Sequence, residues 1–199
     1  MSRFYAVLAA LAGAAIAAAV VVLAVMLWQG PQGRLGASVL PTIGGPFHLV
    51  DQQGTTVTDR NLVGTWSIIY FGYTRCPDEC PTALNNIALA LDRLDERQRA
   101  QVHAVFITVD PEHDTPAVLK AYIAKFAAPI LALTGTPAEI AQAAKAYRVY
   151  YAPPAKEGGS EVEHSSIIYL MDPRGRFVTN FSGAAKPEEI ARALKKRLS

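Results

Sequence analysis

Cysteine is scarce in this sequence, since only Cys76 and Cys80 occur among 199 residues. A chain of this length with two cysteines is not a small disulfide-stapled fold, so its stability must come from a packed core. An excess of charge of one sign is also missing, because 19 basic residues are balanced by 17 acidic ones and the longest basic run covers residues 195–197. The sequence therefore lacks the electrostatic footprint of a nucleic-acid-binding protein.

Charge is absent altogether from residues 4–28, which are mostly apolar. Such a segment is long enough to cross the roughly 30 Å hydrocarbon core of a bilayer. A cleaved signal peptide has a shorter apolar region of about 7 to 15 residues and a small-residue cleavage site, and no convincing site follows directly. A mitochondrial transit peptide is amphipathic and rich in Arg and Ser, unlike this start. We therefore predict that residues 1–28 are an uncleaved anchor in a bacterial inner membrane.

The remaining sequence divides into a linker and one domain. Residues 29–42 are rich in Gly, Pro and Gln, as is typical of a tether. Over residues 43–199, short apolar strands alternate with amphipathic helices, which predicts an α/β fold with helices covering a mixed central sheet. The predicted strands are a hairpin at 47–58 and single strands at 66–71, 102–109, 148–151, 165–171 and 176–181, with a short apolar segment at 130–133. Helices are predicted to begin near residues 80, 116 and 137, and a last helix is predicted at 187–198.

The two cysteines lie where a predicted strand is followed by a predicted helix. Pro81 favours the first helical turn, where unpaired N–H groups and the positive end of the helix dipole stabilise a thiolate. Three residues separate the thiols, which departs from the two-residue spacing of thioredoxin redox motifs. Residues four apart share one helix face, so both sulfurs could bind one Cu(I) or Zn(II) ion. A disulfide and a pair of inert buried thiols are the alternatives.

Four histidines are candidates for a third ligand. His48 and His103 fall within strand patterns that have no acidic or thiol neighbour, and solvation is enough to explain His113 in its acidic loop. His164 ends a loop rich in Pro, Gly and charge, and we expect a buried strand to begin directly after it. Its ring can then face the sheet edge from which the two cysteines emerge. His164 is therefore the best of the four candidates for a third ligand, and an ordinary polar side chain is the alternative.

Four segments of the sequence carry a family pattern. They are Tyr-Thr-Arg-Cys-Pro-Asp-Glu-Cys-Pro at 73–81, Thr-Val-Asp-Pro-Glu-His-Asp-Thr-Pro at 108–116, Leu-Thr-Gly-Thr-Pro at 133–137 and Val-Glu-His-Ser at 162–165. Together, across about residues 46–198, they closely resemble the Sco/SenC family of copper-binding assembly factors for cytochrome c oxidase. The resemblance implies a thioredoxin-like fold over residues 43–199, a single membrane anchor, and a copper site formed by Cys76, Cys80 and His164.

The resemblance also implies a function. Two thiolates and one imidazole suit both Cu(I) and Cu(II), and three protein ligands leave a position open for a partner, whereas a structural zinc site is normally closed by four. The expected protein is a membrane-tethered copper chaperone whose domain faces the periplasm. Its expected partner is the copper-containing subunit of cytochrome c oxidase. The protein is expected to deliver copper to that subunit, to reduce the subunit's cysteines, or to do both. Other periplasmic copper carriers or thiol reductants are further expected partners.

Two positions depart from the family pattern, since Glu163 replaces the usual Asp and His113 replaces the usual Arg. Neither removes a ligand, but they leave open whether Glu163 hydrogen-bonds the His164 ring. The alternative function is a thiol–disulfide oxidoreductase or peroxidase of thioredoxin-like fold that uses Cys76 and Cys80 without metal. Such reductases usually carry a cis-proline where this chain has His164-Ser165, which favours metal binding. An interaction module with vestigial cysteines is the third interpretation.

Overall fold

The computed structural model describes residues 16, 18–25, 42–152 and 163–198, and for residues 163 and 164 it describes the backbone. Two compact units are present, Met1–Pro41 and Thr42–Ser199. In the first unit, residues 18–25 are helical, and none of the described helices is both long and apolar enough to span a bilayer. Most of the predicted anchor at 1–28 and of the predicted linker at 29–42 lies outside the described residues.

The second unit is built on a mixed sheet of seven strands in the order β2-β1-β5-β4-β3-β8-β9. Strands β3, β4 and β5 run parallel, and the other neighbours pair antiparallel. The strands of this sheet are β1 (His48–Asp51), β2 (Thr56–Thr58), β3 (Trp66–Gly72), β4 (Val102–Thr108), β5 (Ile130–Thr134), β8 (Ile167–Met171) and β9 (Phe177–Ser182). A separate antiparallel ribbon joins β6 (Tyr151–Ala152) to β7 (Glu163–His164).

The α-helices described in residues 42–152 and 163–198 are α1 (Glu79–Asp92), α2 (Glu96–Arg99), α3 (Pro116–Ile123), α4 (Pro137–Tyr147) and α5 (Pro187–Lys195). The starts of α3 and α4 confirm the helices predicted to begin near residues 116 and 137. Thr115 accepts a hydrogen bond from the third helical N–H of α3, and Pro116 follows it at the first helical position. Thr136 forms a capping box with Glu139 at the start of α4. The capping side chains are reliable markers of a helix start because they accept hydrogen bonds from N–H groups that a helix leaves unpaired.

Strand β3 lies at the centre of the core and is covered on both faces. Successive strand residues point to opposite faces, and here Tyr70 stacks on Phe106 of β4 with ring centroids 6.5 Å apart. The next residue, Phe71, contacts Tyr147 of α4 with centroids 5.4 Å apart. Both Tyr70 and Phe71 are fully buried. This confirms the predicted strand at 66–71, whose run of apolar residues is typical of a strand buried on both faces.

The chain around His164 differs from the prediction. The predicted strand at 148–151 is wrong, because Arg148 caps α4 in the left-handed conformation and only Tyr151 enters strand β6. The predicted strand at 165–171 begins instead at Ile167, and His164 pairs with Tyr151 in the separate ribbon. Ser165 ends the ribbon, since its N–H donates to the Tyr150 carbonyl at 2.9 Å.

Candidate metal centre

Both cysteines lie at the carboxyl end of β3. Cys76 is in the connecting loop, its N–H donating to the Tyr73 carbonyl at 3.3 Å, and Cys80 is in the first turn of α1. The N–H of Cys80 donates to Cys76 Sγ at 3.3 Å, so the helix start contacts the other thiol directly. Both are free thiols and buried, although the intervening residues 77–79 are exposed. The structure therefore brings Cys76 and Cys80 together as predicted, but on a loop and a helix rather than on one helix face.

The expectation that the helix start favours a thiolate at both positions is wrong for Cys80. Burial raises the pKa of the Cys80 thiol well above its ordinary value, and the neighbouring charge of Cys76 raises it further. The hydrogen bond from the first turn reaches Cys76 instead. Desolvation has a larger effect on the pKa of Cys80 than the helix dipole, because the side chain is fully enclosed. A helix dipole typically contributes only about 0.3–1 kcal/mol, whereas full burial can shift a pKa by several units.

The Cys80 sulfur lies in a close-fitting site against strand β3. A Cβ atom added to Gly72 would lie 2.7 Å from Cys80 Sγ, which shows how near the sulfur approaches the strand backbone. The Tyr70 hydroxyl donates to the same sulfur at 3.8 Å and lies 3.2 Å from Ser166 Oγ. Burial and then the charge of Cys80 raise the pKa of Tyr70. The neutral phenol is therefore held as a hydrogen-bond donor beside the thiol.

A buried carboxylate fixes the loop that carries Cys76. Asp114, in the loop after β4, is fully buried. It accepts hydrogen bonds from Thr74 N at 2.9 Å, Thr74 Oγ1 at 2.5 Å and Thr108 Oγ1 at 2.6 Å. Buried charge is tolerated when it is satisfied in this way. The network holds the β3–α1 loop against the β4–α3 loop.

A second carboxylate joins the same two loops near the surface. Arg75 donates to Asp110 Oδ2 at 2.8 Å, and His113 Nδ1 lies 2.8 Å from Asp110 Oδ1. His113 thus has a structural partner rather than only solvent. His48 contacts Glu139 at 3.2 Å, and His103 is exposed.

The predicted ligand His164 is placed by its backbone in β7. Two residues later, Ser166 Oγ contacts the Tyr70 hydroxyl, which in turn contacts Cys80 Sγ, so the chain after His164 reaches the thiol site. Among the side chains that the structure describes, no group of three or more His, Cys, Asp and Glu is arranged to hold a metal ion. The side chain of His164 is not among them, so the three-ligand set stays a prediction.

The donors present at the site suit a soft cation. Two adjacent thiols, one hydrogen-bonded by a helix N–H and one by a phenol, can bind Cu(I) as thiolates or form a disulfide. Sequence reasoning did not identify Tyr70, Asp114 or Asp110 as parts of this site. The available signal was topological, because β3 and β4 are parallel neighbours whose following loops must meet at one edge of the sheet.

The chain matches a known family over most of its length. The SCO1/SenC family model covers residues 37–199. The chain belongs to the SCO1/SenC family. The mitochondrial protein SCO1 of Saccharomyces cerevisiae is 48% identical over 141 residues, which is 69% of this chain and 48% of the yeast protein. The chain thus spans about half the length of the mitochondrial SCO1 relatives.

Solved Sco structures share the fold. ScoI of Bradyrhizobium japonicum, determined with copper bound, is 48% identical, with a TM-score of 0.71 over 77% of this chain and 98% of that one. BsSco, with a disulfide switch, is a member of the Sco family of cytochrome c oxidase assembly proteins; it is 26% identical, with a TM-score of 0.67 over 80% and 95% of the two chains. The central sheet flanked by helices matches these structures, which confirms the predicted thioredoxin-like α/β fold.

Proposed function

We propose that this SCO1/SenC chain is a membrane-tethered copper chaperone that assists assembly of the copper centre of cytochrome c oxidase. The observation that carries the proposal is the contact of Cys80 N with Cys76 Sγ at 3.3 Å, which fixes two soft donors side by side. The copper bound to ScoI of Bradyrhizobium japonicum supports the same metal here. Copper is cargo in this function, received and passed on.

Cys76, Cys80 and His164 are the proposed ligands. Two thiolates hold Cu(I), and an imidazole adds the donor that Cu(II) requires. Asp114 fixes the Cys76 loop through the two Thr74 donors, so that the first sulfur is held in place before the metal arrives. The proposed partner is the oxidase's copper-containing subunit, reached from the periplasmic side of the bacterial inner membrane, to which residues 1–28 anchor the domain.

The test separates the three ligands by the oxidation state of copper. Cys76→Ser and Cys80→Ser should each abolish tight Cu(I) binding, and the two losses should not add because they destroy one site. His164→Ala should retain much of the Cu(I) affinity but lose most of the Cu(II) affinity and the thiolate-to-Cu(II) absorption band. His103→Ala, which changes an exposed histidine, is the matched control. An unchanged Cu(II) spectrum in His164→Ala would remove His164 from the site.

A second candidate is a thiol–disulfide oxidoreductase. It is favoured by the adjacency of two free thiols and by the disulfide switch of the relative BsSco. In this function Cys76 and Cys80 exchange with a disulfide of the oxidase subunit and His164 contributes little. Two results together would establish this function in place of the first. The His164→Ala variant would still reduce disulfides, and the wild-type chain would bind no copper at physiological concentrations.

A further inference from the structure

A groove of about 640 Å³ lies between the start of two strands and the end of helix α3. Its floor is formed by apolar side chains, among them Val102, Ile123, Phe126 and Leu131. These side chains pack against the core but stay partly exposed. The volume falls within the roughly 300–1,000 Å³ that is usual for ligand sites. An apolar surface of this kind, rimmed by polar residues, is typical of a binding site.

The groove and the dithiol site lie at opposite ends of the sheet. Residues 102–104 and 130–131, which line the groove, are the first residues of the parallel strands β4 and β5. Cys76 and Cys80 follow the carboxyl end of β3, which is the parallel neighbour of β4. Strand β4 has seven residues, and a rise of about 3.3 Å per residue separates its two ends by about 20 Å. A partner in the groove therefore leaves the dithiol end of the sheet free.

The charged side chains that line the groove are basic. Arg99 and Lys120 are exposed at its rim, beside the exposed imidazole of His103. No acidic residue is among the described residues that line it, and Lys120 has no ion-pair partner in the described part of the chain. Arg99 pairs with Asp92, whose side chain is 79% exposed, and a surface pair of this kind contributes little. The groove thus combines an apolar floor with a positive rim.

The amino-terminal part of this chain does not match that charge. Residues 1–41 contain no Asp or Glu, and their charged side chains are those of Arg3 and Arg34. Complementary charge favours an interface, and like charges placed face to face oppose it. An acidic segment from another protein is therefore a better match for the groove than the chain's own amino-terminal residues.

We propose that this groove docks a segment of a partner protein that carries acidic and apolar side chains together. The apolar side chains bind the floor, where their burial stabilises the complex. The acidic side chains face Arg99 and Lys120, which select the partner by charge. This inference goes beyond the proposed function and does not depend on it. Within that function, the groove would hold a partner while exchange takes place at the other end of the sheet.

The probe is a short fluorescent peptide in which Glu and Leu alternate, and its binding is measured by fluorescence anisotropy. The full chain is held in phosphatidylcholine nanodiscs, which carry no net charge, and empty nanodiscs provide the baseline. A peptide that alternates Lys and Leu reverses the charge, and one that alternates Glu and Ser removes the apolar side chains. The Glu-Leu peptide should bind in preference to both. Its binding should weaken several-fold at about 1 M salt, where the Debye length falls to about 3 Å.

Lys120→Glu reverses one charge at the rim of the groove. This variant should bind the Glu-Leu peptide about tenfold more weakly, because like charges then face each other. Lys195→Glu is the matched control, since it makes the same change at an exposed residue of α5 that does not line the groove. Both variants should keep the wild-type urea midpoint. Both should also keep the wild-type Cu(I) affinity, measured by anaerobic competition against bicinchoninate.

Weaker peptide binding in Lys120→Glu but not in Lys195→Glu would support the proposal. Absence of Glu-Leu peptide binding, equal binding of the Lys-Leu peptide, or equal weakening in both variants would overturn it. Two other occupants would also overturn it if they take the place of the peptide and are lost in Lys120→Glu. These are vesicles that contain phosphatidylglycerol, and a second copy of this chain detected as a concentration-dependent dimer. Failure to bind Cu(I) would instead count against the proposed function alone.

Discussion

Replacing Gly72 by alanine tests whether the strand backbone sets the position of the Cys80 sulfur. The new Cβ would lie 2.7 Å from Cys80 Sγ, 3.0 Å from Phe106 Cε2 and 3.1 Å from Tyr70 Cε1. Favourable contacts between heavy atoms occur at about 3.5–4.0 Å, so the sulfur must move by roughly 1 Å. The two rings limit the alternatives, because both are fully buried. Overpacking of this kind typically costs about 1–3 kcal/mol.

We expect Gly72→Ala to lower the free energy of unfolding by that amount and to weaken Cu(I) binding about 10- to 100-fold, the scale of changes that misplace a ligand. Urea unfolding of the copper-free chain measures the first effect, and bicinchoninate competition measures the second. Gly54→Ala is the control, because its φ of +82° imposes a backbone cost while no atom lies within 4 Å of the new Cβ. It should lose about 1 kcal/mol of stability and no copper affinity. Native stability and copper affinity in Gly72→Ala would refute this account of the site.

Two further perturbations follow from the geometry. Because burial raises the pKa of Cys80, the unfolded chain releases that proton first, and the free energy of unfolding should fall as pH rises above the ordinary thiol value of 9.0. Cys80→Ala should make this fall shallower between pH 9 and 10, and an identical slope would contradict the buried thiol. Asp114→Ala should cost about 2–4 kcal/mol, since it leaves the Thr74 and Thr108 donors unpaired. Asp92→Ala, which removes a largely exposed partner of Arg99, should change the free energy of unfolding by about 0.5 kcal/mol or less.

The parts of the fold that sequence reasoning predicted depend on short-range signals. The start of α4 is encoded within four residues by Thr136, Pro137 and Glu139, and the buried run of β3 is continuous in the sequence. The ribbon that contains His164 was not predicted because its pairing with Tyr151 depends on the tertiary fold. The sequence around His164 does not by itself indicate that partner. Strand residues in such a short ribbon carry no periodicity to detect.

The candidate site was predictable in its composition but not in its environment. Spacing and residue type identified Cys76 and Cys80, since two thiols on one short segment must lie near each other. The enclosure of Cys80 depends on Gly72 and on rings from other elements, so its raised pKa could not be inferred from the helix start alone. The acceptor role of Asp114 was hidden for the same reason, because its donor Thr74 is distant in sequence.

The two cysteines differ in burial, since Cys76 is 9% exposed and Cys80 is fully enclosed. Exchange of ligands at sulfur is associative, so an incoming thiolate or metal complex must reach the atom it attacks. In the proposed function, an arriving partner should therefore engage Cys76 first. Cys80 should be the last donor to be released, because a partner reaches it only after Cys76. The depth of each thiol in the fold would then set the order of each transfer, whether the species exchanged is a metal ion or a disulfide.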